Sequence, residues 1–300
     1  EKTWPSSYGA RGGTYGGEGE REIANNKNGF IWNNCHRYGI SFRTYGEFAD
    51  DNKANIPILK GHFNTKYPGY SLNTRDTTRF RIWKQEFDSL LSVNSVPQFN
   101  TVRFGNDHTE GLRKGRPTPY AHVADNDLAV GLFLEALSKS SIWNETAVFV
   151  LEDDAQNGAD HVDAHRSPVY IFGGYVKRNF IDHTAYTTSS VLRTIELILG
   201  MSPMTQYDAA AMPLWRCFDS IPKPFNFSAI IPGVDFDERN TVMNEWQRRS
   251  ELFDFVKEDT NNDFEFSKVL WHGLKGSNVP FPGPRRAAFI IPLKGDDDDD

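Results

Sequence analysis

The sequence predicts an α/β protein with a mostly parallel sheet, and three segments carry that prediction. Short runs at residues 98–104 and 146–151 have the length and the β-branched and aromatic content of buried strands. Between them, residues 124–138 place Leu128, Leu132 and Leu137 on one broad apolar face of a helix. A strand, a helix and a second strand in this order predict a β-α-β unit, which closes right-handed in a parallel sheet.

The other segments supply the remaining elements. Helical spacing predicts a short helix within residues 26–40 that ends near Gly39, and longer helices at residues 78–91, 186–200 and 245–256. Thr188 or Ser189 is a candidate cap for the third of these, and Gly200 its end. Residues 41–48 and 169–172 are predicted strands. The proline-rich C-terminal part is expected to form an extended wrap over the surface.

Composition narrows the class of protein. A chain of 300 residues can bury a large core, and its net charge of −7 without a basic block argues against a general nucleic-acid binder. No apolar run approaches the ~18 residues of a membrane span. The five aspartates at residues 296–300 indicate a solvated tail. Cys35 and Cys217 form neither a disulfide framework nor a zinc motif, and free thiols are favoured over a single bridge.

Acids and histidines crowd the connection between the strands at 146–151 and 169–172. Ligands of open α/β sheets bind outside the carboxyl ends of strands. An aspartate and a histidine also follow the strand at 98–104, and the β-α-β unit places both loops at one edge of the sheet. The first loop carries Glu152, Asp153, Asp154, Asp160, His161, Asp163 and His165, and the second carries Asp107 and His108.

This set of side chains suits a divalent cation, which takes carboxylate oxygens and neutral imidazoles as ligands. Asp153 and Asp154 would repel each other if buried together, and a cation removes that cost. Any single aspartate here could equally cap a helix or lie in an exposed turn. Isolated histidines elsewhere are more simply read as packed or surface residues, namely His62, His122, His183 and His272. Co-location at two neighbouring strand ends favours the metal site.

The segment most useful for recognising a protein family is TAVFVLEDDAQNGADHVDAHRSPVYIFGGYVKR at 146–178. This string resembles the phosphoesterase family of the alkaline phosphatase superfamily. The resemblance continues in NDHT at 106–109, in TPYAHVADNDLAVG at 118–131, in residues 186–201, in the Asp208-Ala-Ala-Ala segment and in FPGPRRAAF at 281–289. More distantly, the acid pair and the following Asp-His-Val are similar to bacterial phospholipase C and acid phosphatase enzymes.

The resemblance implies a three-layer sandwich with a mostly parallel central sheet, formed as one domain by residues 1–290, with a disordered acidic tail at 291–300. It implies hydrolysis of phosphate esters, in which a metal-bound serine or threonine attacks in line and water releases the covalent intermediate. Zinc is the favoured metal, and manganese or iron would suit the same donors. The implied metal ligands are Asp107, His108, Asp153, Asp154, His161 and His165, and the implied substrate contacts are Asp160 and Arg166.

Arg166 would either steady an oxyanion or brace its loop, and bracing is favoured. The sequence contains no counterpart of the family's N-terminal strand and its nucleophile, so we expect both upstream of Glu1. The expected partners are therefore the phosphate-ester substrate and this missing segment of the same protein. A periplasmic, extracellular or cell-surface location is implied by the resemblance. Two alternatives stay open: a degenerate, non-catalytic binding or surface protein, and a related hydrolase such as a phospholipase C or a sulfatase.

Overall fold

The computed structural model describes residues 17–19, 21–22, 25–50, 52–152, 166–254 and 261–283. Its α-helices are α1 (Ile31–Arg37), α2 (Asp76–Ser92), α3 (Pro119–Ser138), α4 (Thr188–Ile198), α5 (Gln206–Ala210), α6 (Glu245–Ser250) and α7 (Asp263–Lys275). Its strands are β1 (Phe42–Tyr45), β2 (Ala49–Asp50), β3 (Lys53–Ala54), β4 (Phe99–Val102), β5 (Ala147–Leu151) and β6 (Val169–Gly173). Helices and strands are interspersed along the chain as far as β6, and β1 and β4 pair in parallel, in agreement with the predicted α/β class.

The strands within the described ranges pair in twos. β1 and β4 are parallel, with Phe42 opposite Phe99 and Tyr45 opposite Val102. β5 pairs antiparallel with β6, and β2 with β3. The predicted parallel unit joining β4 to β5 is therefore not found as a ladder in this part of the chain. Periodicity identifies a strand but does not identify its partner, and β5 lies beside the strand that follows it.

Two apolar clusters form the core, and β1 contributes to both. Phe42 packs in the first with the buried Trp32, Cys35, Ile56, Leu59 and Met201. Tyr45 packs in the second with Tyr67, Trp83, Phe87, Leu137 and Trp143. Helices α2 and α3 meet in the second cluster, where the rings of Trp83 and Phe133 lie 4.2 Å apart between centroids. β5 and β6 reach the same cluster through Val148 and Phe172, so the candidate loops stand on a packed base.

Helix boundaries agree with the sequence where a cap or a glycine marks them. Gly39 and Gly200 follow α1 and α4 with φ values of +68° and +70°, the left-handed conformation that glycine adopts without strain. Helix α3 begins at Pro119 rather than near residue 124, because the Thr118 side chain accepts a hydrogen bond from the amide of Ala121 at 3.1 Å. Asp125 therefore lies inside the helix and not at its start.

The C-terminal part was predicted wrongly as an extended wrap. Helix α7 forms there because the Asn262 side chain caps its first turn, accepting from the amide of Glu265 at 3.0 Å, and the prolines that suggested extended chain come only after it. Helix α6 ends at Ser250, earlier than predicted. Among the residues described, no helix is long and apolar enough to cross a membrane. Both cysteines are free thiols, as favoured.

One buried carboxyl group on α4 gives the fold a predicted pH dependence. The Glu196 side chain is fully buried and lies 3.2 Å from the guanidinium of Arg193. Burial raises its pKa to about 7, the neighbouring Asp208 acts in the same direction, and Arg193 opposes both. Because the folded protein holds this proton up to a higher pH than the unfolded chain, the carboxyl group costs stability as pH rises from its ordinary pKa to about 7.

We therefore expect Glu196→Gln to flatten the pH dependence of unfolding. The free energy of unfolding of the unmodified protein should fall by on the order of 2 kcal/mol between pH 5 and pH 8, and the glutamine variant should lose most of that fall. Urea titrations at four pH values measure it. Glu251→Gln, at an exposed position on the surface, should keep the original profile. Equal profiles for the unmodified protein and Glu196→Gln would contradict the assignment.

Candidate active site

Asp107 and His108 lie together in a short 3-10 turn, Asn106–His108, that follows β4 after a three-residue link. Both side chains are exposed, whereas Asn106 before them is buried. The turn begins after Gly105, and the amide of His108 donates back to the Gly105 carbonyl at 3.3 Å. The predicted pair is thus placed at the carboxyl end of a parallel strand, where α/β proteins bind ligands.

A carboxylate buried in the core fixes the position of this turn. Asp76, the first residue of α2, is fully buried and accepts hydrogen bonds from the amides of Gly105 at 3.0 Å and Asn106 at 2.7 Å. The Asn126 side chain donates to it as well, at 3.0 Å. Its charge is balanced by Arg79, 2.8 Å away. The turn therefore has its backbone donors satisfied by one side chain that the core holds in place.

A second buried aspartate joins α3 to the same structure. Asp125 accepts from the amide of Asp76 and from the hydroxyl of Thr77, both at 2.6 Å, and so caps the start of α2 from another helix. It also accepts from the Asn106 amide group at 2.9 Å. Two aspartates thus tie α2, α3 and the turn together. Sequence reasoning missed both; the signal was an aspartate inside an otherwise apolar helical face.

The ring of His108 has a defined orientation. Its edge meets the face of Tyr70, with 5.7 Å between centroids and an interplanar angle of 72°. Its Nδ1 atom lies 3.2 Å from the carbonyl oxygen of Thr109. The tautomer that donates to this carbonyl leaves the lone pair on Nε2, which is the form that binds a metal or accepts a proton.

The backbone directly after His108 is strained. Thr109 has φ +55° and ψ 174°, a conformation at positive φ that a β-branched residue rarely adopts. Such a conformation costs on the order of 1–3 kcal/mol and persists only where the surroundings fix it. Backbone strain of this kind clusters at functional sites, which supports the choice of this turn.

The second candidate loop is described only at its two flanks. The Ser167 hydroxyl donates to the carbonyl of Glu152 at 3.2 Å, and the Glu152 amide lies 3.4 Å from the carbonyl of Pro168. Arg166, on one flank, is exposed. The flanks are thus joined at the Leu151–Val169 end of the β5–β6 ladder. Five predicted site residues between the flanks lie outside the described residues: Asp153, Asp154, Asp160, His161 and His165.

Among the described residues, Asp107 and His108 are the two predicted metal ligands whose position is known. Asp107 and His108 offer a carboxylate and an imidazole, which are donors that zinc, manganese and iron accept. Across the described ranges, no three histidine, cysteine, aspartate or glutamate side chains are grouped as metal ligands. The donor chemistry fits, and the remaining ligands would have to come from elsewhere. The sequence predicts them in the segment 153–165, but the premise that a parallel β4–β5 unit brings the two loops to one sheet edge was wrong, because β4 pairs with β1 and β5 with β6.

The structure is thus that of an α/β protein. Its candidate ligand site, an aspartate and a histidine on one turn, lies at the carboxyl end of a parallel strand. Comparison with known families gives this class a more specific assignment. Residues 3–202 match the model of the phosphoesterase family, and since the match spans 200 of 300 residues, the chain belongs to that family. Membership implies hydrolysis of phosphate esters and, with it, phosphate-ester substrates. A search of the curated proteins finds no match.

The matched range contains every predicted site residue, from Asp107 to Arg166. It ends shortly after α4, so α5, α6 and α7 lie beyond it. The Asp208-Ala-Ala-Ala segment and the sequence at 281–289, both part of the predicted resemblance, also lie beyond the match. The family assignment therefore rests on the part of the chain that carries the candidate site.

Proposed function

We propose that this protein is a metal-dependent phosphoric ester hydrolase whose site is built on the turn after β4. The observation that carries the proposal is the exposed pair of Asp107 and His108 at the carboxyl end of β4. The two buried residues before this pair, Gly105 and Asn106, donate their amides to the fully buried Asp76, which anchors the start of the turn. The proposal includes the three-layer sandwich with a mostly parallel sheet that the resemblance implies.

The proposed metal ligands are Asp107, His108, Asp153, Asp154, His161 and His165. Asp160 and Arg166 are proposed contacts of the substrate. A bound divalent ion would supply positive charge against the phosphoryl oxygens. Zinc is proposed first, with manganese and iron as substitutes. The periplasm, or the outside of the cell, is the proposed location.

The protein's own residues support distinct tasks in this reaction. The Nε2 atom of His108 can bind an ion or accept a proton, because Nδ1 faces a carbonyl oxygen. Tyr70 limits rotation of the ring by packing against it. Arg166 is exposed beside the joined flanks of the 153–165 segment, where its guanidinium could either meet an anionic oxygen or brace the loop.

Metal removal tests this proposal directly. We expect the complete protein, including the segment proposed to carry the nucleophile, to contain a divalent metal by elemental analysis and to hydrolyse a chromogenic phosphomonoester. Chelation should abolish that hydrolysis, and added zinc, manganese or iron should restore it. A chromogenic sulfate ester and a choline phosphodiester, assayed in parallel, separate a phosphomonoesterase from a sulfatase and from a phospholipase C.

The same experiment distinguishes an enzyme from a non-catalytic binding protein. A folded protein, as judged by circular dichroism, that binds no metal and hydrolyses none of these esters would sink the proposal. Metal binding without hydrolysis would favour the binding protein. Hydrolysis that persists after complete metal removal would leave an esterase but would contradict the role of the metal.

A further inference from the structure

A small cavity adjoins the turn that carries the candidate site. Its volume is about 110 Å³, and it opens between the start of α2, the start of α3 and the segment around Phe236. Three buried side chains form its floor, and three arginines with a few neutral residues form its rim. The floor is Asn106, His122 and Asp125, and the arginines are Arg75, Arg116 and Arg239.

Two polar atoms of the floor lack a hydrogen-bond partner among the described residues: Asn106 Oδ1 and His122 Nε2. Both side chains are 2% exposed. Leaving such an atom without a partner destabilises the protein, so a bound molecule that hydrogen-bonds to both atoms would recover that free energy. Asn106 Oδ1 is an acceptor and therefore requires a ligand with a hydrogen-bond donor.

Burial favours the neutral form of the His122 imidazole. Burial lowers its pKa, and the Glu110 carboxylate, 3.9 Å from Nε2, opposes that effect only in part. Asp125 and Asp76 also face this histidine and act in the same direction as Glu110, while Arg116 acts with burial. A neutral imidazole can donate from Nε2 or accept there, so it adapts to either kind of oxygen on a ligand.

The rim carries positive charge that the protein only partly neutralises. Arg75 pairs with Asp237, and Arg116 lies 3.1 Å from Glu110. Arg239 donates to the carbonyl of Gly115 at 3.0 Å and makes no ion pair with an acid in the described part of the chain. A guanidinium that is exposed and unpaired beside a polar cavity is suited to an oxyanion.

The negatively charged side chain in the lining of the cavity already has hydrogen-bond donors from the protein. Asp125 is the carboxylate among the lining residues, and its two oxygens accept three hydrogen bonds from Asp76, Thr77 and Asn106. The volume of about 110 Å³ leaves room for a small tetrahedral anion.

We propose that this cavity binds inorganic phosphate as its monohydrogen form. The guanidinium of Arg239 would face the charged oxygens, and the P–OH group would donate to Asn106 Oδ1. Sulfate has no such proton, and a phosphomonoester loses its last proton near pH 6, so neither satisfies the floor at pH 8. The cavity touches the residue directly before Asp107, which places free phosphate, the product of phosphate-ester hydrolysis, beside the candidate site.

Calorimetric titration of the full chain with phosphate at pH 8, in the presence of a chelator, tests the site. The chelator prevents phosphate from binding through a metal. We expect binding of one phosphate, and tenfold or more weaker binding of sulfate and of methyl phosphate. Arg239→Gln should weaken phosphate binding about tenfold or more. Lys114→Gln is the matched control, because it removes the same charge from an exposed residue of the neighbouring loop that does not line the cavity.

His122→Gln, a variant of the cavity floor, should also weaken phosphate binding. If this buried substitution prevents folding, the exposed Arg239→Gln variant still tests the proposal. Three results would each overturn the proposal: no binding at millimolar phosphate, equal binding of phosphate and sulfate, or equal loss in Arg239→Gln and Lys114→Gln. The titration is made without metal and without turnover. Absence of phosphate binding would therefore not contradict the proposed hydrolysis, and absence of hydrolysis would not contradict the phosphate site.

Discussion

Replacing Asp76 by alanine should lower the free energy of unfolding by about 3–5 kcal/mol, because it leaves the buried guanidinium of Arg79 without its countercharge. Both side chains of this pair are almost completely buried, at 0% and 2% exposure. The substitution also removes the acceptor for the amides of Gly105 and Asn106, which become unsatisfied inside the protein. We therefore expect the turn after β4 to lose its fixed position together with the stability of the core.

Urea unfolding followed by fluorescence measures this loss, and Asp88→Ala provides the control. Asp88 pairs with Lys84 on the exposed side of the same helix, with both side chains at least one third exposed, and its removal should cost less than about 1 kcal/mol. A change of under 1 kcal/mol for Asp76→Ala would show that the buried network does not hold the two helices and the turn together.

His108→Ala should lower hydrolysis of phosphomonoesters by about a thousandfold. Loss of a group that only supports a metal ligand already costs about 10–100-fold in metal affinity or activity, and loss of the ligand itself should cost more. The side chain is exposed, so the free energy of unfolding should change by no more than about 0.5 kcal/mol. Activity and bound metal are measured on the same preparations.

His36→Ala is the matched control for that experiment. His36 is an exposed histidine in the last turn of α1, and its loss should leave both activity and metal content unchanged. If His108→Ala keeps more than a tenth of the activity while remaining folded, the turn is not part of the site. A parallel fall in both histidine variants would indicate a general effect of losing a surface imidazole.

The elements that could be predicted from the sequence are those with a local cause. Helix α4 has an apolar periodic face and a closing glycine, and the sequence predicts it to within a few residues. Its N-cap is Thr187, one residue before the predicted Thr188, so the choice of cap was wrong. The turn carrying Asp107 and His108 was predicted because two polar residues follow a short apolar strand. Strand partners were not predictable in the same way, since the pairing of β5 with β6 rather than β4 depends on contacts that no local pattern encodes.

The interior of the candidate site was missed for a related reason. Asp76 and Asp125 act through hydrogen bonds to residues about 30 and 50 positions away in the chain, which is beyond the reach of any local pattern. Asp125 lies inside α3, because that helix starts at Pro119 and not near residue 124 as predicted. His122 was taken for a packed or surface histidine; it is buried, and it also forms part of a polar cavity. The predicted role of the segment 153–165 stays a prediction.

The strained backbone of Thr109 bears on how this protein can evolve. Glycine at this position would relieve a conformation that a β-branched residue tolerates poorly, and the fold would gain stability. The same change would free the chain immediately after His108, whose ring depends on the Thr109 carbonyl for its orientation. A change to glycine during evolution would therefore exchange the fixed ring of His108 for a more stable fold.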